Sequence, residues 1–447
     1  LLAIWSTLLD TPCTDPTANF FELGGDSITA LRAVAMAAGD GLPFRLADLY
    51  VAPTAAELAD LVGRRLAEDY PAEEDHSAEF SLAEADGQLD PDLVFRPVSP
   101  ALDGPQEILL TGVTGFLGGH LLAELLRSTG ARVHCLVRAA DETAGLARVE
   151  AALATAGATA DSVRIGIILG DLADERLGLA PETAAELAGR VDTVVHVAAA
   201  VNGALSYAAL RQVNVLGTEA LLAFVASCAR PVTFHHISSD SAARPWQSGY
   251  GLSKLVAERL VLAAGERGLR VLVHRLGRIS AATGTGRWQE ADFASMVIRG
   301  SIDFGRFPDP DEMPVERWSP VDELVRLLAG QVRDGVPTGP ALRYVVGELV
   351  SFGDVADWIR AAGIRLDIVS LAEWRQELRD SPENPAFGIY PWLADAPSVA
   401  PRKEVRVEEA YRVPLGATVD ASSLHRYLAS AGLLPKPEPD AVSPATH

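Results

Sequence analysis

The sequence predicts a small all-α four-helix bundle followed by a doubly wound parallel α/β sheet, with a smaller, partly helical C-terminal subdomain. Three observations carry this. Residues 1–66 show only helical periodicity. From residue 106, short apolar runs alternate with helical patterns. After residue 276 the alternation loosens into short helices and one late strand-like run, "LRYVVG".

The bundle is built from four segments. "LLAIWSTLL" opens it. "SITALRAVAMAA" follows, with Ile28, Leu31, Val34 and Ala35 at helical spacing. "LADLY" and "TAAELADLVGRRLA" complete it, and Thr54 with Glu57 three residues on is a capping box for the last. Residues 67–98 are acidic and aperiodic, as in a linker or a surface-wrapping segment. The predicted organisation is a helical module over 1–66, a linker over 67–103, a dinucleotide-binding domain over 104–279 and a substrate-binding subdomain over 280–440.

At 447 residues there is room for two or three domains. The net charge of −22 argues against nucleic acid or an anionic membrane as partner, because both repel an acidic surface. Cys13, Cys135 and Cys228 are too few and too widely spaced for a disulfide framework or a metal site, so no metal and a cytoplasmic location are expected. No apolar run approaches the roughly 20 residues that span a bilayer. The first residues lack the basic start of a signal peptide. The chain begins without Met, as a piece cut from a longer one would.

The first strand, "EILLT", runs into "GVTGFLGG". Gly112, Gly115 and Gly118 fall between a strand and a helix, where backbone amides can approach a pyrophosphate closely. Thr114, Phe116 and Leu117 complete this turn. The second strand ends in Arg138, where NAD-preferring folds place an acid, and Arg148 follows on the next helix. Arginine suits a ribose 2′-phosphate, so NADPH is expected over NADH. The third and fourth strands end at Asp171–Leu172 and near Ala198, further candidates for dinucleotide contact.

"SGYGLSKLVAERL" puts Tyr250 and Lys254 on one helix face. A cation beside a phenol lowers its pKa and makes it a proton donor. Lys254 is the only lysine in the first 402 residues. With 8 Tyr and 3 Lys, chance predicts only about 0.05 such spacings. The strand before it ends "HHISSDS". A hydroxyl there can hold a substrate oxygen as charge develops. Ser238 and Ser239 point to opposite faces, so at most one serves. His235 and His236 alternate likewise and read as packing or polar residues. Trp288, Phe293, Met296 and Trp318 are candidates for a substrate pocket, although aromatic residues in such a region more often form core.

Together "TGVTGFLGGHLL", "VHCLVRA", "GDLADERLGL", "NVLGTEALL" and "GYGLSKLVAERL" resemble the extended short-chain dehydrogenase/reductase family. More narrowly they resemble the terminal thioester reductase domains of nonribosomal peptide synthetases, with a Rossmann-like sheet. The resemblance runs from about residue 104 to 435 and includes "WSPVDELVRLL" and "VSLAEWRQEL". It implies Tyr250 as donor, Lys254 as its partner and Ser239 as the carbonyl-binding hydroxyl, which is commonly Thr in the family. The 11 positions from Ser239 to Tyr250 are fewer than usual there, which keeps Ser238 and Ser241 as alternatives.

"FFELGGDSITALR" resembles the peptidyl carrier domain of the same synthetases. That implies a 4′-phosphopantetheine arm on Ser27, a phosphopantetheinyl transferase and upstream synthetase domains as partners, and a tethered aminoacyl or peptidyl thioester as substrate. The implied function is NADPH-dependent release of that thioester as an aldehyde, or further on as an alcohol. The alternatives are a non-reductive or cyclising release domain and a redox-silent docking scaffold.

Overall fold

The computed structural model describes residues 1–9, 11–20, 52–67, 77–97, 104–159, 163–202, 205–245, 248–335, 341–389, 412–416 and 419–434, with isolated positions between 21 and 51. The chain divides into two compact units. One is Leu1–Pro100 with Gly170–Val273; the other is Ala101–Leu169 with His274–His447.

The strands are β1 (Glu107–Thr111), β2 (Arg132–Val137), β3 (Ile165–Leu169), β4 (Thr193–His196), β5 (Thr233–Ser239), β6 (Arg270–Leu276), β7 (Arg278–Ser280), β8 (Arg306–Pro308), β9 (Glu316–Pro320), β10 (Leu342–Val346), β11 (Glu348–Val350), β12 (Asp367–Val369) and β13 (Arg412–Pro414). Eight of them form one sheet in the order β13-β10-β6-β5-β4-β1-β2-β3. The central part of that order, 3-2-1-4-5-6, is the doubly wound dinucleotide-binding arrangement. The pairs β1–β2, β2–β3, β4–β5 and β10–β13 are all parallel. β1 is buried over four of its five residues, as a strand covered on both faces must be. The expected late strand is β10.

Of the four expected N-terminal helices, two are described, Leu2–Leu8 and Ala55–Ala67. "SITALRAVAMAA" and "LADLY" fall largely outside the described residues, and Ser27 lies wholly outside them. The capping box forms as expected: the Thr54 N–H donates to Glu57 Oε2 at 3.3 Å, and the Glu57 N–H donates to Thr54 Oγ1 at 3.2 Å. Trp5 and Phe20 meet edge to face, 5.1 Å apart, and both are fully buried with Leu58.

Two expectations change. The acidic stretch after residue 66 holds a helix, Ser77–Asp86, that packs within its unit. One continuous helical run, Tyr207–Ser227, has the length and apolar character to cross a bilayer, with a mean hydropathy of 1.2. Half of that run is buried inside the fold, where Asn214 and Thr218 are hydrogen-bonded, so it serves as a core helix.

In the second unit a separate core gathers Trp288, Trp318, Trp374, Phe352 and Tyr427. The Trp288 ring meets Trp318 at 5.2 Å and Tyr427 at 5.1 Å. Trp288 and Trp318 are therefore core, and Phe293 and Met296 pack against that core from its edge.

Candidate active site

In the first unit, β5 delivers two adjacent serines with opposite fates. The buried Ser238 hydroxyl donates to Glu258 Oε1 at 2.5 Å. Ser239 points the other way, to the edge of the strand. Its Oγ accepts from the Ser241 N–H at 3.2 Å, and its hydroxyl lies close enough to Tyr250 to lower the pKa of the phenol. Of the three candidate serines, Ser239 is the one whose hydroxyl meets Tyr250.

The helix Gly249–Glu266 carries Tyr250 and Lys254. Its start is fixed by Ser248, whose side chain accepts from the Gly251 N–H at 3.0 Å. Lys254 is 2% exposed; its Nζ donates to the Ile237 carbonyl at 2.7 Å and lies 3.5 Å from His236 Nε2. Burial pulls the Lys254 ammonium down to about 8, and Glu258 partly offsets this. Burial pushes the Tyr250 phenol up to about 12, against a smaller lowering by the Ser239 hydroxyl. The expected lowering of the phenol by its lysine is not found: burial dominates, and Ser239 rather than Lys254 pulls the other way. Tyr250 is neutral and carries its proton at pH 7, which is the state a donor needs. His196 is held down to about 3, first by burial and then by the charge of Lys254.

A third element joins these residues. The helical run widens into a π turn at Gln212–Leu216, and such turns recur at functional sites. Its Asn214 amide accepts from the Ala200 N–H at 2.7 Å and donates to the Ala200 carbonyl at 3.0 Å and to Ser253 Oγ at 2.9 Å. The Ser253 hydroxyl in turn donates to the Tyr250 carbonyl at 2.8 Å. Sequence reading passed over Asn214, Ser253 and Glu258. A buried amide inside "NVLGT" is the one signal that pointed to any of them.

Two expected cofactor residues in this unit have local duties. The Asp171 carboxylate accepts from the Ala173 N–H at 2.9 Å, and Leu172 is buried beside Gly217.

The second unit holds the glycine-rich turn. Gly112 has φ +72°, which favours glycine, and a Cβ on Gly118 would come within 2.0 Å of the Gly112 carbonyl oxygen. The helix Phe116–Ser128 starts at Gly115 with no side chain capping it. Its first amides are therefore open to an anion, which fits a dinucleotide pyrophosphate. Thr114, Gly115 and Phe116 line a cavity of about 520 Å³ with Arg287, Trp288 and Arg299. Arg138 is exposed at the end of β2, and Arg148 Nη1 donates to its carbonyl.

A Ser–Tyr–Lys set and a glycine-rich strand–helix turn on a 3-2-1-4-5-6 sheet, preceded by small helices with their own core, define a class: an extended short-chain dehydrogenase/reductase fold behind a carrier module. Two family profiles match the chain: "Phosphopantetheine attachment site" over residues 1–62, and the NAD-binding "Male sterility protein" over 110–245 and 240–328. The chain belongs to these two families, joined in the order found in the reductase ends of nonribosomal peptide synthetases. The families imply a phosphopantetheine arm and a nicotinamide dinucleotide.

The chain is 36% identical over 417 residues to an isonitrile lipopeptide synthase of Streptomyces coeruleorubidus, covering 87% of this chain and 28% of that protein. It is 30% identical over 449 residues to the L-2-aminoadipate reductase large subunit of Eremothecium gossypii, covering 88% and 32%. It is also similar to the solved terminal R domain of the myxalamid PKS-NRPS pathway, with a TM-score of 0.71 and 29% identity over 80% of this chain and 99% of that one. The chain spans less than a third of the length of these two curated relatives.

Proposed function

We propose that this chain is the carrier–reductase end of a nonribosomal peptide synthetase, releasing a carrier-bound aminoacyl or peptidyl thioester as an aldehyde. The domains are 1–66 for the carrier, 67–103 for the connecting segment, 104–279 for NADP binding and 280–440 for substrate binding. Ser27 bears the phosphopantetheine arm, added by a phosphopantetheinyl transferase and loaded by upstream synthetase domains in the cytoplasm. Gly112, Thr114, Gly115, Phe116, Leu117 and Gly118 receive the pyrophosphate; Arg138 and Arg148 receive the 2′-phosphate; Asp171, Leu172, Ala198 and Lys254 border the rest.

The dinucleotide, when bound, supplies a hydride to the thioester carbonyl carbon. Ser239 and Tyr250 hold the carbonyl oxygen as it gains charge, and the Tyr250 hydroxyl gives it a proton. Lys254, fixed by the Ile237 carbonyl, stands one helical turn away to keep that phenol in place. The protonated adduct then loses its C–S bond, leaving an aldehyde and the free thiol of the arm.

The observation that carries this reading is Ser239 beside the Tyr250 phenol, with Lys254 on the same helix, in a chain that also has a carrier module. Tyr250→Phe tests it. NADPH oxidation with a thioester substrate should fall to background while NADPH binding, followed by fluorescence, persists. Normal turnover by that variant would end the assignment.

A further inference from the structure

We propose that the segment joining the carrier helices to the α/β domain is part of the catalytic apparatus, with Asp86 as a positioning residue for the helix that bears Tyr250 and Lys254. This rests on the reading of those two residues given above.

The Asp86 side chain is 6% exposed. It accepts from the Tyr207 hydroxyl at 2.7 Å and from Arg211 Nε at 2.5 Å and Nη2 at 2.6 Å. A forked guanidinium plus a hydroxyl satisfies a buried carboxylate, and such a cluster is costly to leave half made. The segment is tied elsewhere too: Arg267 Nη2 donates to the Leu89 carbonyl at 3.0 Å, and Arg96 Nε donates to the Cys228 carbonyl at 3.0 Å. A passive tether has no use for these anchors.

Two routes lead from the clamp to Tyr250. Tyr207 and the two residues before it lie against Gly249, the first residue of the catalytic helix. A Cβ at Gly249 would come within 2.3 Å of the Tyr207 backbone nitrogen, so this start of the helix rests on the Tyr207 backbone. On the other side of the clamp, Arg211 runs straight into the π turn that holds Asn214. Asn214 binds Ser253, and Ser253 binds the Tyr250 carbonyl. A shift of Tyr207 or Arg211 therefore reaches the donor by backbone contact and by hydrogen bonds. Without Asp86, Tyr207 and Arg211 lose the acceptor that holds both, and the helix start loses its support.

The test uses the full chain with an unloaded carrier, NADPH and acyl thioesters of N-acetylcysteamine. Asp86→Ala should lower kcat at least about tenfold while KM for the thioester and the Kd for NADPH stay within about twofold. Tyr207→Phe removes one hydroxyl and should lower kcat less, and it decides the matter if Asp86→Ala does not fold. Asp86→Asn, which still accepts from Tyr207, should recover part of the rate. Full kcat in Asp86→Ala or Tyr207→Phe overturns the proposal, and so does a joint loss of kcat, KM and NADPH affinity, which marks a purely structural role. A Tyr250→Phe control that stays active would instead remove the catalytic reading beneath it.

Discussion

The polar groups around Tyr250 and those around Arg138 are built in opposite ways. Lys254, Ser238, Glu258 and Asn214 are buried, and each has a partner within the fold. Arg138 and Arg148 are exposed, and Arg148 is held by a backbone carbonyl. A buried, hydrogen-bonded network fixes geometry and tolerates little change. Exposed arginines keep their hydration until a ligand takes its place, so they discriminate between ligands at small cost to the fold.

The largest effect should follow from disturbing the buried set. Lys254→Met should lower NADPH oxidation by about a hundredfold or more. The intact lysine gives a pH signature as well. With Lys254 at about 8, kcat should fall as pH rises through that value and the ammonium is lost. Its effect on stability has the opposite sign. Between about 8 and the ordinary lysine value of 10.5, the unfolded chain binds a proton that the folded chain does not. This group therefore makes the fold more stable as pH rises across that window. Rate and urea midpoint measured over the same pH range should diverge. A rate flat from pH 7 to 9.5 would show that the ammonium is not used.

Arg138→Ala should act on selectivity alone. One charge-assisted contact is worth about 1.5–3 kcal/mol, so the preference for NADPH over NADH should drop about tenfold or more. The unfolding midpoint should not move. Equal turnover of the two cofactors by the unchanged protein would remove the role of Arg138.

Much of this was legible in the sequence, for reasons that differ by residue. Tyr250 and Lys254 stood out because lysine is scarce and the spacing fits one helix face. Thr54 and Glu57 stood out because a capping box is local. The serines were only half legible: strand alternation says that Ser238 and Ser239 face opposite ways but not which faces the site. Asp86 was hidden because its partners are 121 and 125 positions away. Its helix was hidden because polar anchors leave no apolar stripe to detect. The run at 207–227 misled for the converse reason. Arg211, Asn214 and Glu219 break it up on paper, while the whole still averages as apolar.

The smallest effect belongs to an exposed contact with no catalytic duty. Thr54 caps the helix Ala55–Ala67 from the surface, and its loss should cost about 1 kcal/mol. In Thr54→Ala, amides of that helix should exchange with deuterium about fivefold faster in the full chain. Reduction of a free thioester should be untouched, because this cap shares no partner with the Tyr250 network among the described residues. A slower reaction would mean that the carrier helices and the catalytic helix are coupled, and the division between fixed and exposed polar groups would no longer hold. Unchanged exchange would show that the cap is redundant, with Trp5, Phe20 and Leu58 holding the helix by packing alone.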